Sequence, residues 1–273
     1  MESDQLQSSI NIDIDMDVAI IACNNELTIA RTIESIKHLA SRIIVVDSGS
    51  TDRTIDIATQ LGAEAIHHDW EGHVKQKQFA LEKCTATWVL SLDSDEAPDE
   101  ELLSAITSAV KQDNPRVAGY EMNRRIFFLG RWLNHTFQPE YRLRLVRRTS
   151  ATWTGYDPHD KLIITTPQNG KIERLPGILR HDSWQDVASL LRNQISHGLN
   201  AAESYHRLNR RAPFLKLCIS PPATLFKQLI LRLAFLDGWR GILVALAASI
   251  GVTAKYMRLI ELIHHNDDDR RKK

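Results

Sequence analysis

The chain has 273 residues, 43% of them apolar and 25% charged, a composition that excludes a disordered or fibrous polymer. Its 34 Lys+Arg cancel its 34 Asp+Glu, but residues 1–113 hold 21 acidic against 8 basic side chains and residues 114–273 hold 13 against 26. One half suits cations and the other suits anionic partners, within one large α/β domain plus an extension or two smaller domains.

Strands and helices alternate through the first half. Val18–Cys23 is a continuous apolar run and predicts a buried strand. Asn25 is placed to cap a helix whose Ile29, Ile33, Ile36 and Ala40 share a face. Ile43–Val46 predicts a second strand ending at Asp47, and Asp52 starts a second helix. Ala63–His67 predicts a short strand, and Val74, Gln78, Leu81 and Cys84 predict a helical stripe. Trp88–Leu92 predicts a fourth strand running into Asp93-Ser94-Asp95-Glu96, after which Pro98 opens a helix. Repeated strand–helix units imply a mainly parallel sheet covered on both faces, with ligands at the carboxyl ends of its strands. Asp47 and Asp93 sit at two such ends.

The second half changes character. Tyr141, Leu143 and Leu145 alternate with Arg142 and Arg144, as in a half-exposed strand, and Lys161–Thr165 predicts another. From Ser183 the pattern is helical: Ser183 with Asp186 resembles a capping box, and Pro213 and Pro221-Pro222 punctuate the later helices. Three scattered cysteines (Cys23, Cys84, Cys218) without a CxxC pair fit free thiols in a reducing compartment. The acidic stretch Met1–Asp17 is the opposite of a secretory signal. The uncharged run Gly241–Ala254 has 14 residues, short of the roughly 20 that a spanning helix needs. A cytoplasmic protein is expected.

Asp93-x-Asp95 is the sharpest local signal. Two carboxylates so close repel unless a cation lies between them, and a divalent ion completed by phosphate oxygens would resolve that repulsion. A solvated acidic turn capping the next helix is the alternative. Lys77 is placed either near a diphosphate or on a solvated basic helix face.

The segments Asp17-Val-Ala-Ile-Ile-Ala-Cys-Asn-Asn-Glu26, Ile43-Ile-Val-Val-Asp-Ser-Gly-Ser-Thr-Asp-Arg-Thr54 and Trp88-Val-Leu-Ser-Leu-Asp-Ser-Asp-Glu96 together resemble the family 2 glycosyltransferases, which have the GT-A (Rossmann-like) fold. Phe127-Phe-Leu-Gly-Arg-Trp132, Tyr141–Arg148, Trp153–Asp160 and Leu236-Asp-Gly-Trp-Arg-Gly241 further resemble the subgroup of lipopolysaccharide inner-core β-1,4-glucosyltransferases.

The resemblance implies an inverting transfer of glucose from UDP-glucose to a core heptose. Cys23, Asn25, Glu26 and Asp47 would hold the nucleotide base and ribose. Asp93 would lie near the ribose or metal, with Lys77 near the diphosphate. Asp95 and His181 would bind Mg2+ or Mn2+. Asp160, following His159 where the subgroup has His-Glu, would be the general base. Arg131, Trp132, Arg142 and His159 are candidate acceptor contacts.

The expected organisation is an acidic tail (1–16), a GT-A nucleotide-sugar and acceptor domain (17–182), a helical region (183–265) and a charged tail (266–273). Between Tyr205 and Gly241, basic residues (Arg207, Arg210, Arg211, Lys216, Lys227, Arg232, Arg240) interleave with apolar and aromatic ones. That pattern predicts either a lid or a peripheral contact with an anionic inner membrane, suited to a lipid-anchored glycan acceptor. No nucleic-acid partner is expected. Alternatives are a polyprenyl phosphate or other glycan acceptor, a membrane-associated nucleotide-binding scaffold, or a nucleotidyltransferase. The last would need a glycine-rich loop where Ala22-Cys-Asn-Asn-Glu26 stands.

Overall fold

The structure, a computed structural model, describes residues 14–156, 159–165, 170–209 and 213–271. The acidic residues before Ile14, Asp157 and Pro158, and Arg210 and Arg211 lie outside the described residues.

Four strands form the parallel half of the sheet: β1 (Met16–Ala22), β2 (Arg42–Asp47), β3 (Glu64–His67) and β4 (Trp88–Asp93). Helices α1 (Ile29–Ile36), α2 (Thr54–Gln60) and α3 (His73–Lys83) connect them in order. The strands are apolar along their whole length because both faces are covered. Ile29, Ile33 and Ile36 of α1 fill one face, while Ala80 and Leu81 of α3 fill the other.

Beyond β4 the sheet becomes mixed. Strand β5 (Glu96–Pro98) leads into α4 (Glu100–Gln112), whose first turn is capped by Asp99 accepting from Leu102 N at 2.9 Å. It is followed by β6 (Val117–Phe128), β7 (Arg131–Trp132), β8 (Tyr141–Arg147), β9 (Ala151–Tyr156), β10 (His159–Ile164) and β11 (Lys171–His181). The order across the large sheet is β3-β2-β1-β4-β8-β6-β11-β5, with β7 on β6 and a separate β9–β10 hairpin. The expected parallel pairing holds through β4, whereas β8 pairs antiparallel with both β4 and β6.

Helix α5 (Val187–Arg207) begins at a capping box formed by Asp186 and Ser189 rather than by the predicted Ser183 and Asp186. Helices α6 (Pro213–Phe226) and α7 (Gly238–Arg271) follow. Phe128, Trp184, Leu190, Val244 and Ala247 form a small core that fastens this helical region to β6. α5 crosses α7 closely: a Cβ on Gly198 would lie 2.2 Å from Gly251 O.

By length and composition alone, Pro213–Leu231 and Ala234–His264 are each long and apolar enough to cross a membrane. The second contains the 14-residue uncharged run Gly241–Ala254 and extends beyond both its ends. Arg240 and Lys255 bound that run but do not end the helix: Arg240 donates to Leu129 O, and Lys255 lies over the Tyr205 and Tyr256 rings.

Candidate functional site

The carboxyl ends of β2 and β4 flank β1, with Ala22 level with Asp47 and Ile21 level with Asp93. The two loops after β1 and β2 are laced together: Asn24 N donates to Ser50 Oγ at 2.9 Å, and Asn25 N donates to Thr54 Oγ1 at 2.7 Å. The predicted residues around this rim divide. Cys23 and Asn25 line a cavity of about 930 Å³, although the Asn25 side chain accepts from Cys23 N instead of capping α1. Asp47 and Glu26 do not line it. Asp47 accepts from Gly49 N and Ser50 N, both at 2.9 Å, and so shapes the turn whose Ser48 reaches the cavity. Glu26 accepts from Arg53 N and steadies the same turn from outside.

Asp93 emerges from β4 into a dense ionic cluster. Lys77 Nζ on α3 lies 2.8 Å from Asp93 Oδ1 and 2.9 Å from Asp160 Oδ2. Arg144 on β8 donates to Asp93 Oδ2 at 2.7 Å and to Glu96 Oε1 at 2.5 Å. Arg124 on β6 reaches Glu96 at 3.3 Å and Glu140 at 2.8 Å, and Arg142 reaches Glu140 at 2.6 Å. Four cations thus meet four carboxylates, which makes the cluster close to neutral.

Burial opposes ionisation of Asp93, but Arg144 and Lys77 overrule it and hold its pKa well below the ordinary carboxylate range. The same opposition lowers Asp160, where the Lys77 charge and hydrogen bond prevail over burial. Glu140 is held at about 2, with burial again outweighed by Arg124.

Asp95 faces a different partner. Its Oδ2 is 3.4 Å from His181 Nε2 at the end of β11, and Ser183 Oγ lies 2.7 Å from His181 Nδ1. Burial would raise the Asp95 pKa, but His181 outweighs it and the carboxyl is lowered. Among the described residues no three His, Cys, Asp or Glu side chains converge on one point. The donor set is therefore one carboxylate and one imidazole, both on the cavity wall. That set fits a divalent ion whose remaining ligands come from phosphate oxygens and water.

Lys77, Asp93, Asp95, Arg142, Asp160 and His181 all line the one cavity. Arg131 and Trp132 do not. They border a separate shallow groove of about 580 Å³ with Leu236, Trp239 and Arg240, because β7 folds back on β6 away from the strand ends. His159 lies on β10, with its side chain outside the described part.

Beside that groove Asp237 takes the backbone N–H of Asn134 at 2.7 Å, of His135 at 3.1 Å and of Thr136 at 2.8 Å. Arg240 donates to Leu129 O at 2.7 Å. The Leu236–Gly241 motif thereby fastens the start of α7 to the loop that carries the cavity residues Phe137 and Pro139.

Sequence reasoning missed Glu96, Glu140 and the inward role of Arg144. Alternation along β8 predicts Arg144 in solvent, yet it is 3% exposed. A register shift explains it: Tyr120 pairs with Leu145 and Glu121 with Leu143, leaving Arg144 as the bulged residue, re-aimed at Asp93. Glu96, one residue past the Asp93-x-Asp95 tripeptide, is fully buried, and a buried carboxylate requires a cation, supplied here by Arg144 and Arg124.

The profile of the family described as Glycosyl transferase family 2 matches residues 17–165. An uncharacterized glycosyltransferase of Rickettsia typhi is 30% identical over 89% of this chain and 85% of its own length. The lipopolysaccharide core biosynthesis glycosyltransferase LpsC of Rhizobium meliloti is 27% identical over 81% of each chain. Among solved structures, glucosyl-3-phosphoglycerate synthase from Mycobacterium tuberculosis, in complex with Mn2+, UDP and glucosyl-3-phosphoglycerate, is similar with a TM-score of 0.45. It is 20% identical, over 72% of this chain and 81% of that one.

Proposed function

Because the chain belongs to glycosyl transferase family 2, we propose that it moves a hexose, glucose from UDP-glucose, to a heptose of the lipopolysaccharide inner core with inversion at the anomeric carbon. The observation that carries this reading is the convergence of Asp95 with His181 and of Asp93 with Asp160 on one cavity at the strand ends. Likeness to LpsC supports the lipopolysaccharide acceptor, and the subgroup motifs support glucose as the sugar.

Asp95 and His181 would hold a divalent cation, Mg2+ or Mn2+, which when bound neutralises charge developing on the diphosphate leaving group. The remaining roles fall to the chain itself. Cys23, Asn25 and the turn shaped by Asp47 bound the nucleotide end of the cavity. Lys77 holds Asp160 by Oδ2 and keeps its carboxyl ionised, so that Oδ1 can take the proton of an acceptor hydroxyl as that oxygen attacks the anomeric carbon. Arg144 and Lys77 fix Asp93 so that neither carboxylate swings into the space of the sugar.

A lipid-anchored acceptor is supported by the exposed apolar side chains of the helical region, among them Phe214 (59%), Phe226 (56%), Leu231 (68%) and Trp239 (54%). With Lys216 nearby they suit a peripheral position on an anionic inner-membrane surface. Co-sedimentation with anionic vesicles at low but not high salt is expected, and no binding at either salt level counts against that position. The transfer reading is tested by offering the chain UDP-, GDP- and ADP-sugars with Mg2+ or Mn2+ and a core oligosaccharide. Sugar-labelled oligosaccharide is expected from UDP-glucose, and absence of product from every donor sinks the reading.

A further inference from the structure

The C-terminal wall of the cavity has no part in the chemistry described above. Between α6 and α7 the chain makes a single π-helical turn, Lys227–Leu231, closed by Arg232 N donating to Lys227 O at 2.9 Å. Leu233 follows at φ 56°, in the left-handed region that a leucine rarely adopts. Isolated π turns and left-handed non-glycine residues are unfavourable locally and gather where function requires them.

Three side chains of this segment, Lys227, Gln228 and Arg232, line the cavity. Gln228 is 8% exposed and its Oε1 has no hydrogen-bond partner. Gln228 Oε1 thus lacks a donor, whereas the indole N–H groups of Trp153 and Trp184, each residue 6% exposed and each on the cavity wall, lack an acceptor. Buried polar groups are rarely left in this state without a reason.

Charge points to the missing partner. Lys77, Arg124, Arg142 and Arg144 are each paired with carboxylates. Lys161, next to Asp160 on β10, lines the same cavity, and neither it, Lys227 nor Arg232 forms an ion pair among the described residues. The ionic cluster is near neutral, and on the rest of the wall the two carboxylates already have partners, Asp95 in His181 and Glu121 in Arg174, which leaves these three cations without a counter-charge among the described residues. Unpaired donors and unpaired cations together call for a ligand rich in acceptor oxygens and negative charge.

We infer that Lys161, Lys227 and Arg232 form a receptor for a phosphate group of a substrate, carried on β10 and the segment of the π-helical turn. The phosphate belongs either to the diphosphate of the donor or to a phosphorylated acceptor glycan. The sequence pattern fits Lys227 and Arg232 to either a lid or the bilayer, and in the structure both line the cavity. This site builds on the transferase reading of the cavity, and its test does not depend on transfer.

The test is calorimetric titration of the full chain and of a Lys227→Ala/Arg232→Ala double variant. The probes are UDP, inorganic pyrophosphate, and deacylated core oligosaccharide before and after chemical removal of its phosphates. Binding of at least one phosphate-bearing probe is expected to weaken by about tenfold or more, as for loss of a charge-assisted contact. Weakened UDP and pyrophosphate assign the receptor to the donor, and weakening confined to the phosphorylated oligosaccharide assigns it to the acceptor. Lys227→Arg/Arg232→Lys is expected to keep most of the affinity, and Lys227→Gln/Arg232→Gln repeats the test with less change of shape. Unchanged affinities for every phosphate-bearing probe in a folded variant overturn the proposal, and so does an equal loss for the oligosaccharide stripped of its phosphates. A chain that binds these probes but moves no sugar would sink the transferase reading and leave the receptor standing.

Discussion

Lys77 on α3 and Asp160 on β10 stand 83 positions apart in sequence, and their Nζ and Oδ2 meet at 2.9 Å inside the cavity. The same ammonium also holds Asp93, so one buried cation ties the helix on one face of the sheet to a strand end and to the β9–β10 hairpin.

Removing that cation leaves two carboxylates without their shared partner. Breaking a buried ion pair from one side costs roughly 3–5 kcal/mol. Lys77→Met is therefore expected to lower the midpoint of denaturant unfolding substantially. A midpoint within experimental error of the parent would mean that Arg144 alone holds Asp93.

Asp160→Asn keeps the shape of the side chain and removes its basicity. Transfer is expected to fall by about 10²–10⁴, the usual contribution of a placed general base, while nucleotide-sugar affinity is kept. Titration calorimetry beside a single-turnover transfer assay separates the two effects. Parent-like turnover would take the base role away from Asp160.

Asp95→Asn and His181→Ala each remove one donor of the two-residue set beside the cavity. The parent is expected to bind UDP more tightly with Mn2+ than with excess EDTA, and each variant is expected to lose most of that difference. The comparison is one of binding and needs no turnover. A metal-dependent increase that survives in both variants would place the cation elsewhere.

Glu140 gives a stability signature in acid. Its pKa is about 2 in the folded chain against an ordinary 4.5, because Arg124 outweighs the effect of burial. A depressed carboxyl stabilises the fold fully above its unfolded pKa and loses that contribution as pH falls through the folded value. The chain is thus expected to lose about 3 kcal/mol between pH 4.5 and 2 from this group alone. Unfolding midpoints of Glu140→Gln across that window should fall less steeply than those of the parent, and parallel curves would show that Glu140 is not the group responsible.

Much of the parallel half was legible in the sequence because its signals are local. Apolar runs such as Ile43–Val46, broken by an aspartate, mark a buried strand and where it stops, and β2 ends at Asp47 as that pattern implies. The mixed half was less legible. β6, β9 and β11 lack a clean period of two, since each is covered differently along its length and β11 carries register shifts. Lys77 shows the same limit within the site. On α3 the buried positions are Gln76, Lys77, Ala80 and Leu81; the apolar stripe through Val74, Gln78, Leu81 and Cys84 finds the core contact but not Lys77, which is buried by its pairing with Asp93 and Asp160. Arg131 and Trp132 close a motif that begins at Phe127, and a tight return onto β6 carries them with Phe127 and Gly130 to another surface.

The clamp of Asp237 on the backbone of Asn134, His135 and Thr136 has a mechanical meaning. One carboxylate couples the first turn of a 34-residue helix to the loop that carries Phe137 and Pro139 to the cavity. A tilt of α7 would therefore be carried by this clamp to the wall formed by Phe137 and Pro139, as a lever carries force to its short arm.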